Sequence, residues 1–169
     1  IKLEDNVINY LNEQRNISRR WLMDVEGLEK GLDIGCGRGG FNKVRDKLNI
    51  NEWTGIDIDI GSIFKMEINK TEGHWIWMDF NEGWDEESQL KRFGDIWRKT
   101  ESYKMKYLEG EYDVILCNFS IHYSKREEGC LINLIEEITR RSKKGTLLKI
   151  CFPNKDKLLR KLEEVEIIK

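Results

Sequence analysis

The chain has 169 residues, 39% hydrophobic and 36% charged, with a net charge of −2. That length suffices for a single domain with one real core. No apolar run approaches the ~20 residues that span a bilayer and no signal-peptide pattern is present, while the mildly acidic balance argues against a generic coat for nucleic acid.

In chain order, residues 1–30 read as a helical segment contributing to a site formed mainly by the core, residues 31–169, within one domain. Arg15, Arg19 and Arg20 cluster in that first segment. The first residue, Ile1, suggests a piece of a longer chain. Five short apolar stretches rich in β-branched or aromatic residues then predict strands at 31–34, 53–58, 74–78, 112–117 and 146–152. Between them, Leu131, Leu134, Ile135 and Ile138 keep helical spacing, and Leu158, Leu159, Leu162 and Val165 nearly do. Residues 89–106 are charged and weakly periodic, a surface helix or an insertion. The run Arg140, Arg141, Lys143, Lys144 precedes Gly145 and reads as a solvated helix C-terminus. The four cysteines, Cys36, Cys117, Cys130 and Cys151, lack C-x-x-C spacing and a partner histidine, so they read as mostly buried, reduced thiols of an intracellular protein, with no metal. Strands alternating with helices predict an α/β fold, a doubly wound and mostly parallel sheet that binds ligands beyond its carboxyl ends.

The unusual residues fall at those ends. LDIGCGRGG, residues 32–40, places Gly35 and Gly37 directly after the first strand. Glycine there permits tight turning and close approach of backbone N–H groups to a ligand. A phosphate-binding P-loop is excluded by the lack of G-K-[ST], and G-C-G-R-G-G lacks the third-glycine spacing of nicotinamide sites. About twenty residues on, GIDID puts Asp57 where an acid takes ribose hydroxyls. Asp79, after WIWM, is placed to accept an adenine N–H. Each acid alone reads as a turn or cap residue; glycine, acid and acid on three consecutive strand ends point to a nucleoside-bearing ligand. The fourth strand runs into DVILCNFSIHYSK, residues 113–125, which crowds Asn118, Phe119, His122 and Tyr123 at its end.

L-D-I-G-C-G-R-G-G followed by G-I-D resembles motif I and its acidic partner in class I S-adenosylmethionine-dependent methyltransferases. More narrowly, the chain resembles mRNA cap guanine-N7 methyltransferases of the cellular or large-DNA-virus kind. Three blocks in the family's order carry the likeness: residues 32–40, C-N-F-S-I-H-Y-S at 117–124 and F-P-N-K-D-K-L-L at 152–159. The resemblance implies transfer of a methyl group from S-adenosylmethionine to N7 of the cap guanine, leaving S-adenosylhomocysteine. It implies the capped 5′ end of mRNA as partner, with upstream capping domains or a stimulatory subunit as further ones, no membrane, and a nuclear or viral (factory or virion) setting.

By that likeness Gly35 and Gly37 approach the methionine moiety, Asp57 the ribose and Asp79 the adenine. Asn118, where the family has glutamine, joins Phe119 and Tyr123 in the cofactor pocket. His122 and Tyr123 line the junction with the guanine and position it without acid–base chemistry. Arg38, at a usual lysine, faces the cap phosphates, and Pro153 forms part of the guanosine pocket wall. Arg19 and Arg20 fall at the asparagines of the family's N-N-W-x-K stretch and Met23 at its lysine; Phe41 replaces a common aspartate. The family's final antiparallel hairpin, with its guanine-contacting residues, lies beyond Lys169. Two alternatives stay open: a class I methyltransferase with a small-molecule or protein substrate, and a catalytically inactive stimulatory subunit of the same fold.

Overall fold

The computed structural model describes residues 9, 13, 16, 17, 25–118, 120, 129–151, 156 and 160. Its five strands, β1 (Lys30–Ile34), β2 (Glu52–Asp57), β3 (His74–Trp77), β4 (Tyr112–Asn118) and β5 (Ser142–Cys151), form one wholly parallel sheet in the order β3-β2-β1-β4-β5. Helix α1 (Asn42–Leu48) joins β1 to β2, and α2 (Ile60–Ile68) joins β2 to β3. Between β3 and β4 come α3 (Glu86–Phe93), α4 (Asp95–Glu101) and a 3₁₀ helix (Ser102–Leu108), and α5 (Cys130–Arg140) leads into β5. This is the α/β fold that the alternation of apolar strands and helical stretches predicts, with β5 beginning at Ser142 rather than at 146.

The strands are apolar on both sides because both sides are covered. On one face Leu32, Ile34, Ile56, Ile76, Ile115 and Cys117 pack with Leu134 and Ile138 of α5 and with Leu108. On the other, Trp53, Trp75, Val114 and Leu116 pack with Phe41, with Val44 of α1, and with Ile63 and Met66 of α2. The order reverses between β1 and β4, so their carboxyl ends open onto the crevice where ligands of doubly wound sheets bind.

The segment from α3 to the 3₁₀ helix covers the exposed edge of β3, largely with side chains. Trp97, fully buried, donates its indole N–H to the Trp77 carbonyl at 2.6 Å. The Trp77 N–H goes to Glu101 Oε2 at 2.9 Å, and Lys104 Nζ reaches the Trp75 carbonyl at 2.9 Å. Gln89, also fully buried, brackets Asp79, accepting its N–H at 2.9 Å and donating to its carbonyl at 3.0 Å. An edge strand left bare would template non-native pairing; here its polar groups are satisfied by one segment. Lys104 is buried because Glu101, 3.0 Å away, and Glu67 of α2 neutralise it.

The basic run before Gly145 divides. Arg140 is exposed and pairs with Glu137 at 3.0 Å, as a solvated helix end should. Arg141 is buried: its guanidinium lies 4.7 Å from the Trp84 ring, donates to the Leu108 carbonyl at 2.9 Å and pairs with Glu137. Lys143 and Lys144 belong to β5. The solvated-helix reading therefore fails for Arg141, which is a buried packing residue, and for the two lysines, which are strand residues. No helix among the described residues is long and apolar enough to cross a membrane.

Candidate cofactor and active site

Strand β1 ends in the glycine loop. Gly35 has φ +72, and its N–H donates to the Ile56 carbonyl at 2.8 Å. A Cβ built there would lie 2.0 Å from Ser120 Oγ. Ser120 follows the end of β4 and is itself buried, its hydroxyl 3.1 Å from the Asn118 carbonyl. Glycine at 35 is thus what lets the ends of β1 and β4 meet. Gly37 has φ +53 and open space where a Cβ would stand, so the loop shows bare backbone outward at that point.

Asp57, half-buried at the end of β2, braces the loop: its Oδ2 accepts the Gly37 N–H at 2.7 Å and its Oδ1 the Asp59 N–H at 2.8 Å. Each oxygen keeps acceptor capacity for a ligand hydroxyl. Asp59 caps α2 by accepting the Ser62 hydroxyl at 2.6 Å and the Gly61 N–H at 3.1 Å. The Ser62 bond chiefly holds its carboxyl below the usual range, and Arg38, exposed on the loop, contributes. Asp79 is almost fully buried after β3; it accepts the Asn81 N–H at 3.0 Å and faces Arg92 Nε at 3.4 Å. Asn118 is half-buried at the end of β4.

Gly35, Gly37, Asp57, Asp79 and Asn118 all fall at or just beyond the carboxyl ends of β1 to β4, with Arg38 on the rim. Phe119, His122, Tyr123, Arg19, Arg20 and Pro153 lie outside the described residues.

Asp33 is the site residue that sequence reasoning missed. It sits within β1, 2% exposed, and its Oδ2 has no hydrogen-bond partner among the described residues. Burial, reinforced by the Asp57 charge, pushes its carboxyl up to about 7. The neighbouring thiols respond. Burial first and the Asp33 field second raise Cys36 well above the usual thiol range and Cys117 to about 12, so both stay protonated and unreactive. The available signal was a carboxylate in the middle of an otherwise apolar strand, L-D-I.

Phe41 is buried against the α1–α2 face of the sheet, in the cluster with Cys36, Val44 and Met66, and begins α1 with no side-chain cap. Lys149 of β5, buried, sits with its ammonium 5.8 Å from the Phe41 ring, and burial lowers its pKa. Packing has taken the place that a capping acid would fill at a helix start. Among the described residues no group of three or more His, Cys, Asp or Glu could hold a metal ion.

These residues fit a nucleoside-bearing cation: Asp33 and Asp57 lie by a loop of bare backbone, Asp79 stands just beyond the end of β3, and one buried oxygen lacks a donor among the described residues. Comparison with known proteins narrows the field. The chain is 27% identical over 143 residues to mRNA cap guanine-N(7) methyltransferase 1 of Arabidopsis thaliana, covering 80% of this chain and 36% of that protein. It therefore spans about a third of that curated relative. Among solved structures, the PH0226 protein of Pyrococcus horikoshii superposes with a TM-score of 0.62 at 19% identity, covering 92% of this chain and 63% of that one. The plantazolicin methyltransferase BpumL in complex with SAH gives 0.58 at 21% identity, covering 96% and 56%. A TehB-like SAM-dependent methyltransferase of Corynebacterium glutamicum gives 0.53 at 17%, covering 96% and 83%. At these identities the structural matches establish the fold. The model of the mRNA (guanine-N(7))-methyltransferase domain matches residues 8–169, and the chain belongs to that family.

Proposed function

We propose that the chain is the methyl-transferring core of an mRNA cap guanine-N7 methyltransferase, with S-adenosylmethionine (SAM) as donor and the capped 5′ end of mRNA as acceptor. The family match over residues 8–169 carries this reading, and the crevice geometry supports it. SAM, when bound, supplies an electrophilic methyl group on a cationic sulfur. Gly35 and Gly37 give its amino-acid end a backbone surface, and Asp33 supplies the counter-charge that a cationic ligand needs. Asp57 takes the ribose hydroxyls with the lone pairs that Gly37 and Asp59 leave open, and Asp79 takes the adenine amino group. Asn118 offers its amide at the β4 end, next to Phe119.

The acceptor explains why this crevice needs no general base. Guanine N7 already carries an in-plane lone pair, so no proton must leave before attack. The protonated Cys36 and Cys117 thiols are spectators. Catalysis then rests on in-line positioning, worth up to ~7–11 kcal/mol in ideal cases, by His122 and Tyr123 against the guanine, Pro153 in the pocket wall and Arg38, Arg19 and Arg20 on the phosphates. A guanidinium suits multidentate phosphate contact. Incubation with labelled SAM and RNA of one sequence, capped or uncapped, tests the proposal: label enters capped RNA alone. Equal labelling of both, or labelling of neither, overturns it. Phe41, packed into the core at a common aspartate of the family, favours a second reading, an inactive stimulatory subunit. Calorimetric titration with S-adenosylhomocysteine (SAH) separates the two, because an intact Asp57/Asp79 pocket should bind it and an inactive scaffold should not.

A further inference from the structure

Resting on the cap-methyltransferase reading, we infer that the surface which the 3₁₀ helix and the end of α2 build over the edge of β3 is a docking groove for single-stranded RNA: the body of the transcript whose cap is methylated. A cavity of about 260 Å³ opens at the amino end of β3, lined chiefly by Glu67, Lys70, His74, Tyr103, Lys104 and Tyr107. It is remote from the crevice, which lies at the opposite end of the strands. The His74 ring stacks flat on Tyr107, with centroids 3.5 Å apart and planes 5° from parallel. Burial lowers the His74 pKa, so the ring is a neutral stacking surface near pH 7 despite the Glu52 field, which opposes that shift. Tyr103 is 64% exposed at the rim.

Three of the rings here, Tyr107, Tyr103 and Phe93, have a cation beside them. Lys106 Nζ lies 5.0 Å from the Tyr107 centroid and Lys104 Nζ 5.9 Å from that of Tyr103. Toward the crevice, Trp77 and Phe93 rings are 4.5 Å apart, and the Arg92 guanidinium lies 5.3 Å from Phe93 while facing Asp79. The four residues of β3 measure about 13 Å, so this alternation runs from Asp79 to His74 along one strand edge. Glu67 and Glu101 are spent on Lys104, and Glu72 on Arg45. Lys70 and Lys106 are exposed, and neither has an ion-pair partner among the described residues. An exposed ring for a base face, Tyr103, beside two exposed cations for phosphates, Lys70 and Lys106, matches the way single strands are held without reading sequence. A protein partner would ask for a contiguous apolar patch, and this groove offers one exposed ring.

The test compares a cap dinucleotide with a capped RNA of about 20 nucleotides, long enough to reach the groove, using wild type and the triple variant Tyr103→Ala, Lys70→Glu, Lys106→Glu. The wild type should show the lower KM for the long RNA. The variant should raise that KM roughly tenfold or more and flatten its salt dependence by about 1.4 in log–log slope for two lost cations. Its kcat and KM on the dinucleotide should be unchanged, and the single substitution Tyr103→Phe should leave the KM for the long RNA at the wild-type value. An unchanged KM for the long RNA in a variant that melts like wild type overturns the groove, as does a wild type that treats both substrates alike. If wild type methylates neither substrate, the cap reading fails by itself. Fluorescence anisotropy with uncapped single-stranded RNA then decides the groove, which is wrong if both proteins bind equally or neither binds. A groove that instead retains a protein and no RNA gives that last result.

Discussion

An aspartate that cannot pair one of its oxygens costs far more free energy ionised than neutral, and this makes stability sensitive to pH through Asp33. Its carboxyl lies at about 7 in the folded chain against ~3.9 for an ordinary aspartate. Between those values the folded state holds a proton that the unfolded state releases, so Asp33 lowers stability as pH rises through that window and no further above it. Asp33→Asn removes the dependence. Thermal melts should show the variant gaining on wild type from pH 5 to pH 8; a constant difference would refute the buried-charge assignment. A bound cation holds the carboxylate ionised, so SAM affinity should fall as pH drops below about 7, by up to tenfold per unit. Titrations in buffers of different ionisation heat should register a released proton in wild type and none in Asp33→Asn. Gly35→Ala combines a φ of +72 with a Cβ 2.0 Å from Ser120 Oγ, and should cost at least ~2 kcal/mol in urea unfolding. Adding Ser120→Gly should recover only part of that, since the backbone strain remains. Full recovery would mean that the clash alone mattered. Asp57 and Asp79 were legible in the sequence because they follow apolar strands. Asp33 was not, because a single charge between Leu32 and Ile34 reads as an interruption of the strand, and its orphaned oxygen is a property of burial.

At the scale of elements, the edge of β3 is the most exacting junction. Trp97 is fully buried and donates to Trp77; Trp97→Ala should destabilise by ~3–5 kcal/mol, read as a lower urea midpoint with an unchanged slope. A loss under ~1 kcal/mol would show that the segment merely rests on the sheet. The five strands were legible because two-sided burial writes itself as continuous apolar runs. The segment from α3 to the 3₁₀ helix was not, because its contacts are made by Gln89, Glu101 and Lys104, polar residues that a hydrophobic pattern counts as solvent-facing. The same blindness moved the start of β5, whose first residues Ser142, Lys143 and Lys144 are polar, and mistook buried Arg141 for a solvated cation. Sequence patterns register the side chains that avoid water, whereas here charged groups are buried by pairing with one another.

At the scale of the whole molecule, donor and acceptor sites divide between what the described residues bring together and what lies beyond them. The carboxyl ends of β1 to β4 gather the residues assigned to the proposed donor side. The guanine side of the proposed function is assigned to His122, Tyr123 and Pro153, which lie outside the described residues, through their sequence blocks. The chain spans 36% of its Arabidopsis relative. The most direct measurement of the central claim is the position of the transferred methyl group. The protein is incubated with SAM and capped RNA, the cap is released by nuclease, and its nucleosides are separated by mass spectrometry. N7-methylguanosine from the cap, and no other methylated nucleoside, is the predicted result. A methyl group on a ribose hydroxyl or an internal base, or transfer that ignores the cap, would contradict it.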